Sequence, residues 1–403
     1  MSRELDSLDL AEGSRLAVVE GPDGLAALPM VREADGTWRR ARPGDGAAEA
    51  LLALLAAAPG VHTRGCFTVH AWTARPAAGE RAVAVDQTNE SVIVGDAAVV
   101  KWATHLQQGP HPAPHRIEVL RANGFRFMPN PWGLITWQPA DGAQTLVVNV
   151  DEYLPGAVDG WTWAVEDMVA AARDGRIEAL KSAAAEVGAV VAELHAALSG
   201  TASAATDADA RRWRETALAT LEEARALSIS PLTELLADGR AEIEHLLGSL
   251  GGLAGSPVLD GHGDLHVGQV LRHAGGYVVT DFDGNPVLPA AERALPIPAA
   301  LDVAGMTQSL AHVAIVARRH HQLDAAALAA ADHAAREVFL ASYSARLAAL
   351  GGAGLYDPQP LRAFRLQQVL REIVYAARHL PRWMYVPDAA LPALLEERTP
   401  GGS

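Results

Sequence analysis

His262-Gly263-Asp264-Leu265-His266-Val267-Gly268-Gln269, followed by Asp281-Phe282-Asp283-Gly284, is the densest group of chemistry-bearing residues in the chain. Asp264 stands two residues after His262, and Gln269 stands five after Asp264. Between the two motifs, Val270-Leu271-Arg272, His273 to Gly276 and Tyr277 to Thr280 read as strand, turn and strand, a β-hairpin. These offsets suit phosphoryl transfer, which needs a carboxylate at the acceptor hydroxyl and hard oxygen ligands that hold Mg²⁺ against phosphates. Asp264 is the candidate base. Gln269 and Asp281 are the candidate metal ligands, with Asp283 beside them. Glycines at 261, 263, 268 and 284 permit tight backbone turns around the site. A lone His-Gly-Asp would be an ordinary acidic loop; the ordered set across a hairpin points to a phosphotransferase. A rival reading makes His262, Asp264, His266 and Asp281 the ligands of a transition metal in a hydrolase. It leaves the segment upstream without a role.

That segment holds Lys101. Of 33 basic residues only Lys101 and Lys181 are lysine, so a position that keeps lysine against the arginine bias is a candidate for needing an ammonium. Glu90 to Val94, Gly95-Asp96 and Ala97 to Trp102 read as a hairpin, and Lys101 ends its second strand. In phosphoryl-transfer folds a lysine so placed contacts the α- and β-phosphates of ATP. Glu118, on a helix expected over His115 to Asn123, is positioned by the pattern to pair with it. No Gly-x-Gly-x-x-Gly precedes Lys101; Gln87 to Ser91 fills that place, and its polar groups, Ser91 among them, would cover the phosphates. Asn149 to Leu154 reads as a connector between lobes, and its backbone around Asp151 and Tyr153 would bind adenine.

Further out, the first 84 residues mix strands (Val18-Val19, Leu25 to Leu28, Gly65 to Thr73), a helix (Ala47 to Ala58) and turns, a small α+β module. Leu134 to Gln138 and Thr145 to Glu152 complete a strand-rich segment. Beyond Trp161 the spacing is helical at Asp167 to Leu198, Asp207 to Leu227, Leu232 to Leu250, Asp302 to Arg319, Asp324 to Leu350 and Pro360 to His379. The expected organisation is an N-terminal α+β module over 1–84, a small antiparallel β lobe over 85–152 and a helical lobe over 153–403, a protein-kinase-like bilobal α+β layout in which the first module is a cap only by the resemblance given below. The net charge of −15 argues against nucleic acid or anionic membrane as partner. With one cysteine, Cys66, there is no internal disulfide. The opening Met1 to Asp6 has no apolar core, and the longest apolar run, Ala50 to Val61, is too short to span a bilayer. A cytoplasmic monomer or weak homodimer acting on small molecules is expected.

In its motifs the chain resembles the aminoglycoside-phosphotransferase-like kinases, most of all the actinobacterial branch that contains maltokinases and glucosamine kinases. The resemblance rests on His262 to Gln269 and Asp281 to Pro286. It extends over Asn89 to Gly95, Val99 to Lys101, Glu152 to Gly156, Leu301 to Met306 and the C-terminal helix, most of the chain beyond about residue 85. It implies Asp264 as catalytic base, Gln269 and Asp281 as Mg²⁺ ligands with Asp283 assisting, and Lys101 on the ATP phosphates. It also implies a sugar acceptor, with His266 near it. Where maltokinases carry a lysine and a tyrosine before a Glu-x-x-Tyr-Glu-Ala-Arg stretch, this chain has Gln368, Arg371, Glu372 and Tyr375, spaced to share one helix face. The Gln-x-x-Arg-Glu arrangement is similar to that of glucosamine kinases, and Glu372 could pair with a 2-ammonium group. Trp383 could stack on a pyranose. The resemblance therefore implies phosphorylation of D-glucosamine to glucosamine 6-phosphate. Phosphorylation of maltose at its 1-position is the alternative, and an aminoglycoside the third choice. Gly263 in place of the arginine of His-Arg-Asp argues against a protein kinase.

Overall fold

The computed structural model describes residues 3–22, 24–83, 90–107, 109–227, 229 and 232–397. Gln87, Thr88 and Asn89 of the expected phosphate-covering turn lie outside these residues, as do Asp23 and the tail from Arg398. The chain forms two compact units, Met1–Ala157 with Thr280–Leu295, and Val158–Val279 with Pro296–Ser403.

The first unit begins with an antiparallel sheet of β1 (Arg3–Ala11), β2 (Ser14–Gly21), β3 (Gly24–Arg32) and β4 (Trp38–Arg40), followed by helix α1 (Ala47–Ala57). Then come β5 (Gly60–Arg64), β6 (Phe67–Ala71), β7 (Glu80–Ala82), β8 (Glu90–Val94), β9 (Ala98–Trp102), α2 (Pro112–Ala122), β10 (Pro131–Trp137) and β11 (Thr145–Glu152). Strands β5 to β11 make one seven-stranded sheet in the order β5-β6-β10-β11-β9-β8-β7. The boundary expected at residue 84 therefore does not divide the sheet, because β6 pairs with β10 from Phe67↔Trp137 to Ala71↔Gly133. Nor does it divide the core. Leu16 and Val18 of β2, Leu51, Leu52 and Leu55 of α1, Phe67 and Val69 of β6, and Trp102 and Trp132 bury into one cluster. The α1 leucines pack there with side chains of both sheets, and burial of such side chains is worth about 1.5–3 kcal/mol each. Helix α2 starts before the expected His115, because His111 caps it through the Ala113 N–H and Pro112 occupies its first turn.

The second unit carries α3 (Gly160–Asp174), α4 (Ile177–Ala197), α5 (Asp207–Ala226), α6 (Leu232–Asp238), α7 (Arg240–Gly248), the hairpin β12 (Val270–His273) and β13 (Gly276–Val279), then α8 (Ala299–His320), α9 (Ala325–Ala349), α10 (Leu361–His379) and α11 (Tyr385–Glu396). The single helix expected over Asp167 to Leu198 is two, divided at Gly175, whose φ of 68° is the left-handed stop that glycine accepts most readily. Helix α8 is apolar and long enough to cross a membrane, but 78% of its apolar window is buried, so it is a core helix. It runs beneath the His262 loop and beside α10.

Candidate active site

In the second unit, the His262–Gln269 loop is held on all sides. Asp302 on α8 is fully buried and accepts the backbone N–H groups of His262 at 2.7 Å and Gly263 at 2.8 Å. His195 Nε2 on α4 lies 3.3 Å from the same carboxylate, and His195 Nδ1 lies 2.8 Å from the Tyr343 hydroxyl on α9. Burial opposes the Asp302 charge, but these partners outweigh it and hold the carboxyl below its ordinary value. The Ser309 hydroxyl accepts the Val267 N–H at 2.8 Å. The loop backbone also presses on two glycines. A Cβ at Gly160 would fall 1.6 Å from Val267 O, and one at Gly305 would fall 2.2 Å from Leu265 O. Such packing leaves the loop little freedom, as a pre-organised catalytic group requires.

His262 is buried, and its Nδ1 accepts the Asp264 N–H at 3.3 Å. Its ring is thus a structural support of the turn, which removes one ligand from the metal-hydrolase reading. Gln269 Nε2 lies 3.4 Å from His266 Nε2, and His266 Nδ1 accepts the Gly268 N–H at 3.1 Å. The His266 ring stands 6.4 Å from Trp161, which meets Trp383 edge-on at 5.5 Å. Trp383 therefore belongs to an aromatic group that includes a residue the sequence reading missed.

Helix α10 brings Gln368, Arg371 and Glu372 together. Gln368 Nε2 donates to Glu372 Oε1 at 3.1 Å. Glu372 Oε2 and Arg371 Nε are buried without hydrogen-bond partners. Burial pushes the Glu372 carboxyl up to about 7; Gln368 and Arg371 oppose the rise and the Asp264 charge adds to it. Arg371 feels both Asp264 and Glu372, and burial still lowers its value. Tyr375 lies one turn on, 46% exposed and against the His379 ring at 5.2 Å.

In the first unit, Lys101 on β9 pairs in register with Ser91 on β8 and with Asn149 on β11, so the three share one face. Asn149 Nδ2 donates to Asp151 Oδ2 at 2.7 Å. Burial by itself would lower the Lys101 value, but Asp281 foremost, then Asp151 and Asp283, outweigh it and keep the ammonium charged. Asp281 has a φ of 68°, the one positive φ outside glycine among the described residues, a backbone strain of the kind that collects at functional sites. Asp283 is pushed up to about 7, by burial first and the Asp281 charge second, and Asp151 up to about 6 by burial. Asp281, exposed, and Asp283, half-buried, crowd each other and form a hard-oxygen donor set whose repulsion a divalent cation relieves, so they fit Mg²⁺.

Two expectations need correcting here. Glu118 does not pair with Lys101: its Oε1 lies 2.7 Å from His70 Nδ1, and its place by the site is taken by Asp281, Asp151 and Asp283. The residue of α2 that serves the site is Arg116, 2% exposed, which donates to Phe282 O at 3.0 Å and Arg293 O at 3.1 Å and so fixes the Asp281–Gly284 turn. Second, the N–H groups of Glu152 and Tyr153 are already bonded, to Asn130 O and Ala97 O at 2.9 Å each, so these two donors of the expected adenine-binding backbone are engaged within the protein. The Tyr153 ring instead lies under Arg81, whose guanidinium carbon is 4.9 Å from the ring centroid.

A β-rich unit that carries a charged lysine among three aspartates, with a helical unit that carries a clamped His-Gly-Asp loop, defines a small-molecule kinase of protein-kinase-like fold. No family model matches the chain. A glucosamine kinase from Mycolicibacterium smegmatis is 65% identical over 397 residues, covering 98% of this chain and 99% of that protein. One from Streptacidiphilus jiangxiensis is 46% identical and covers 97% of this chain and 91% of its own length. A crystal structure of a glucosamine kinase superposes with a TM-score of 0.89 at 43% identity, covering 98% of this chain and 94% of that one. Another, a glucosamine kinase in complex with glucosamine, ADP and inorganic phosphate, gives a TM-score of 0.84 with the same coverage and identity. The chain belongs to the glucosamine kinase family.

Proposed function

We propose that this chain transfers the γ-phosphoryl group of ATP to the 6-hydroxyl of D-glucosamine. The observation that carries the acceptor is Glu372 Oε2, a buried carboxylate oxygen left without a hydrogen bond beside Gln368 and Arg371. An unsatisfied buried acceptor is costly, and a 2-ammonium group supplies the donor it lacks. Glucose has no charge to offer there, and the amide of N-acetylglucosamine is neutral and larger.

In this reading Asp264 accepts the proton of the attacking hydroxyl and orients its oxygen. Its backbone is fixed through His262 and Asp302, so the carboxylate is positioned before substrate arrives. Arg371 lies close enough to feel the Asp264 charge. His266, Trp161 and Trp383 form a wall suited to the apolar face of a pyranose. Lys101 holds the ATP phosphates. Gln269 and Asp281, with Asp283, would hold Mg²⁺, which when bound neutralises phosphate charge. A cytoplasmic setting supplies the ATP.

The test is ATP turnover with glucosamine, glucose, N-acetylglucosamine and maltose as acceptors. Glucosamine should exceed each of the others by at least ~10-fold in kcat/KM, as loss of one charged hydrogen bond implies. A preference for maltose would overturn the acceptor assignment.

A further inference from the structure

Behind Glu372 runs a chain of polar side chains that the phosphoryl transfer itself does not use. Arg365 on α10, 5% exposed, grips Glu397 through NH1 at 2.6 Å and NH2 at 3.1 Å. Its Nε donates to Gln308 Oε1 on α8 at 3.0 Å. That contact settles the orientation of the amide: its oxygen faces Arg365, so its Nε2 is the atom that donates to His312 Nε2 at 3.0 Å. His312 Nε2 is therefore an acceptor, and the ring proton sits on Nδ1. A protonated imidazolium would oppose N–H to N–H₂. Burial and the nearby Arg365 charge likewise hold this histidine neutral, with a value lowered to about 3.

Glu372 Oε2 lies 3.4 Å from that same His312 Nε2. The one lone pair of that nitrogen already takes the Gln308 N–H, so the ring offers Glu372 Oε2 no donor that would stabilise the ion, and no hydrogen bond is made between them. The polar groups that face Glu372 are Gln368 and Arg371 from α10, His312 from α8 and Asp264 from the catalytic loop. Burial foremost, and then the Asp264 charge, disfavour the ion; Gln368 and Arg371 favour it, and His312 supplies no donor to help them.

We propose that His312, its tautomer set by Gln308 and Arg365, is a positioning residue that keeps Glu372 a neutral acid until the amino sugar enters, so that binding of the cationic sugar expels one proton. The inference rests on Glu372 as the partner of the sugar nitrogen. The Glu372 O–H bond breaks, its proton passes to solvent, and the carboxylate accepts an ammonium N–H. When the sugar arrives as the free amine, the same proton stays on its nitrogen and none is released. A neutral sugar leaves the acid protonated and forms no ion pair, so the relay discriminates by charge.

Isothermal titration of glucosamine in phosphate and in Bis-Tris, buffers of different ionisation enthalpy, counts the protons. At about pH 6, below the value of about 7 reached by the Glu372 carboxyl, wild type should release close to one proton per sugar bound. Gln308→Leu frees His312 to turn an N–H toward Glu372, and His312→Asn supplies an amide donor. In either variant the proton release should fall toward zero, and the pH profile of KM for glucosamine should move to lower pH. No proton release by wild type, or an unchanged count in a folded variant, overturns the proposal. Glu372→Gln separates the two layers. If it keeps the preference for glucosamine over glucose, the reading of Glu372 itself fails. If the preference collapses while the variants at 308 and 312 still release the wild-type proton, only the role of His312 fails.

Discussion

Glu372→Gln should make the sugar-free protein more stable and at the same time a poorer glucosamine kinase. An ordinary glutamate titrates at 4.5, and this one is pushed up to about 7. At 1.36 kcal/mol per tenfold, that interval corresponds to about 3 kcal/mol against the ionised form. The side chain is 22% exposed, so water screens part of the penalty and ~1–3 kcal/mol is the working range. Between pH 4.5 and about 7 the folded chain binds the proton more tightly than the unfolded chain, so stability falls as pH rises through that window. Above it the cost of the charge is fully present. Glutamine keeps an oxygen for the Gln368 amide and carries no charge. The variant should therefore unfold at a higher urea midpoint than wild type at pH 8, and the difference should vanish as the pH falls below the ordinary glutamate value. In the same variant the loss of a charge-assisted contact should cost ~1.5–3 kcal/mol of glucosamine binding, roughly ten- to a hundredfold, with little change for glucose. Equal midpoints at every pH, together with an intact preference for glucosamine, would refute the reasoning.

Asp264→Asn keeps the shape of the side chain and removes the base, so kcat should fall by ~10²–10⁴ with sugar affinity retained; wild-type turnover would remove Asp264 from the mechanism. Lys101→Met should weaken binding of the Mg·ATP complex, measured by titration, while leaving sugar binding in place, and Lys101→Arg should not restore it, because the guanidinium fork is larger and places its charge differently. Asp302→Asn turns one of the two acceptors of the His262 and Gly263 N–H groups into a donor. It should cost ~1–3 kcal/mol of stability and lower kcat, read by urea unfolding and ATP turnover; an unaltered kcat would show that the loop needs no such clamp.

The His262–Gln269 loop, the Asp281–Gly284 turn, the strand that carries Lys101 and the α10 face were legible as local patterns: fixed offsets within one segment, or side chains at i, i+3, i+4. Strand β11 was legible end to end for the same reason. What escaped is long-range. Nothing near Glu118 announces that His70, from a strand some fifty residues away, takes its carboxylate, or that Arg116, two positions earlier, reaches Phe282 and Arg293 instead. The sheet that passes through the expected boundary at 84 depends on the pairing of β6 with β10, which no local signal encodes. Asp302 lies in a segment that carries the resemblance but shows no role there, and His195 and His312 read in sequence as ordinary members of apolar helices. Their burial is the physical signal, since a polar group removed from water needs a partner, and burial is invisible until the helices pack. Gly160 and Gly305 are similar: only the backbone pressed against them shows why no side chain fits.

Phosphorylation of the 6-hydroxyl of glucosamine by ATP is tested most directly on the product. A proton–phosphorus correlation spectrum of the glucosamine reaction should show the new phosphorus coupled to the two protons on C6, with ADP formed in equal amount. Coupling to the anomeric proton, or ADP without a phosphorylated amino sugar, would contradict the account.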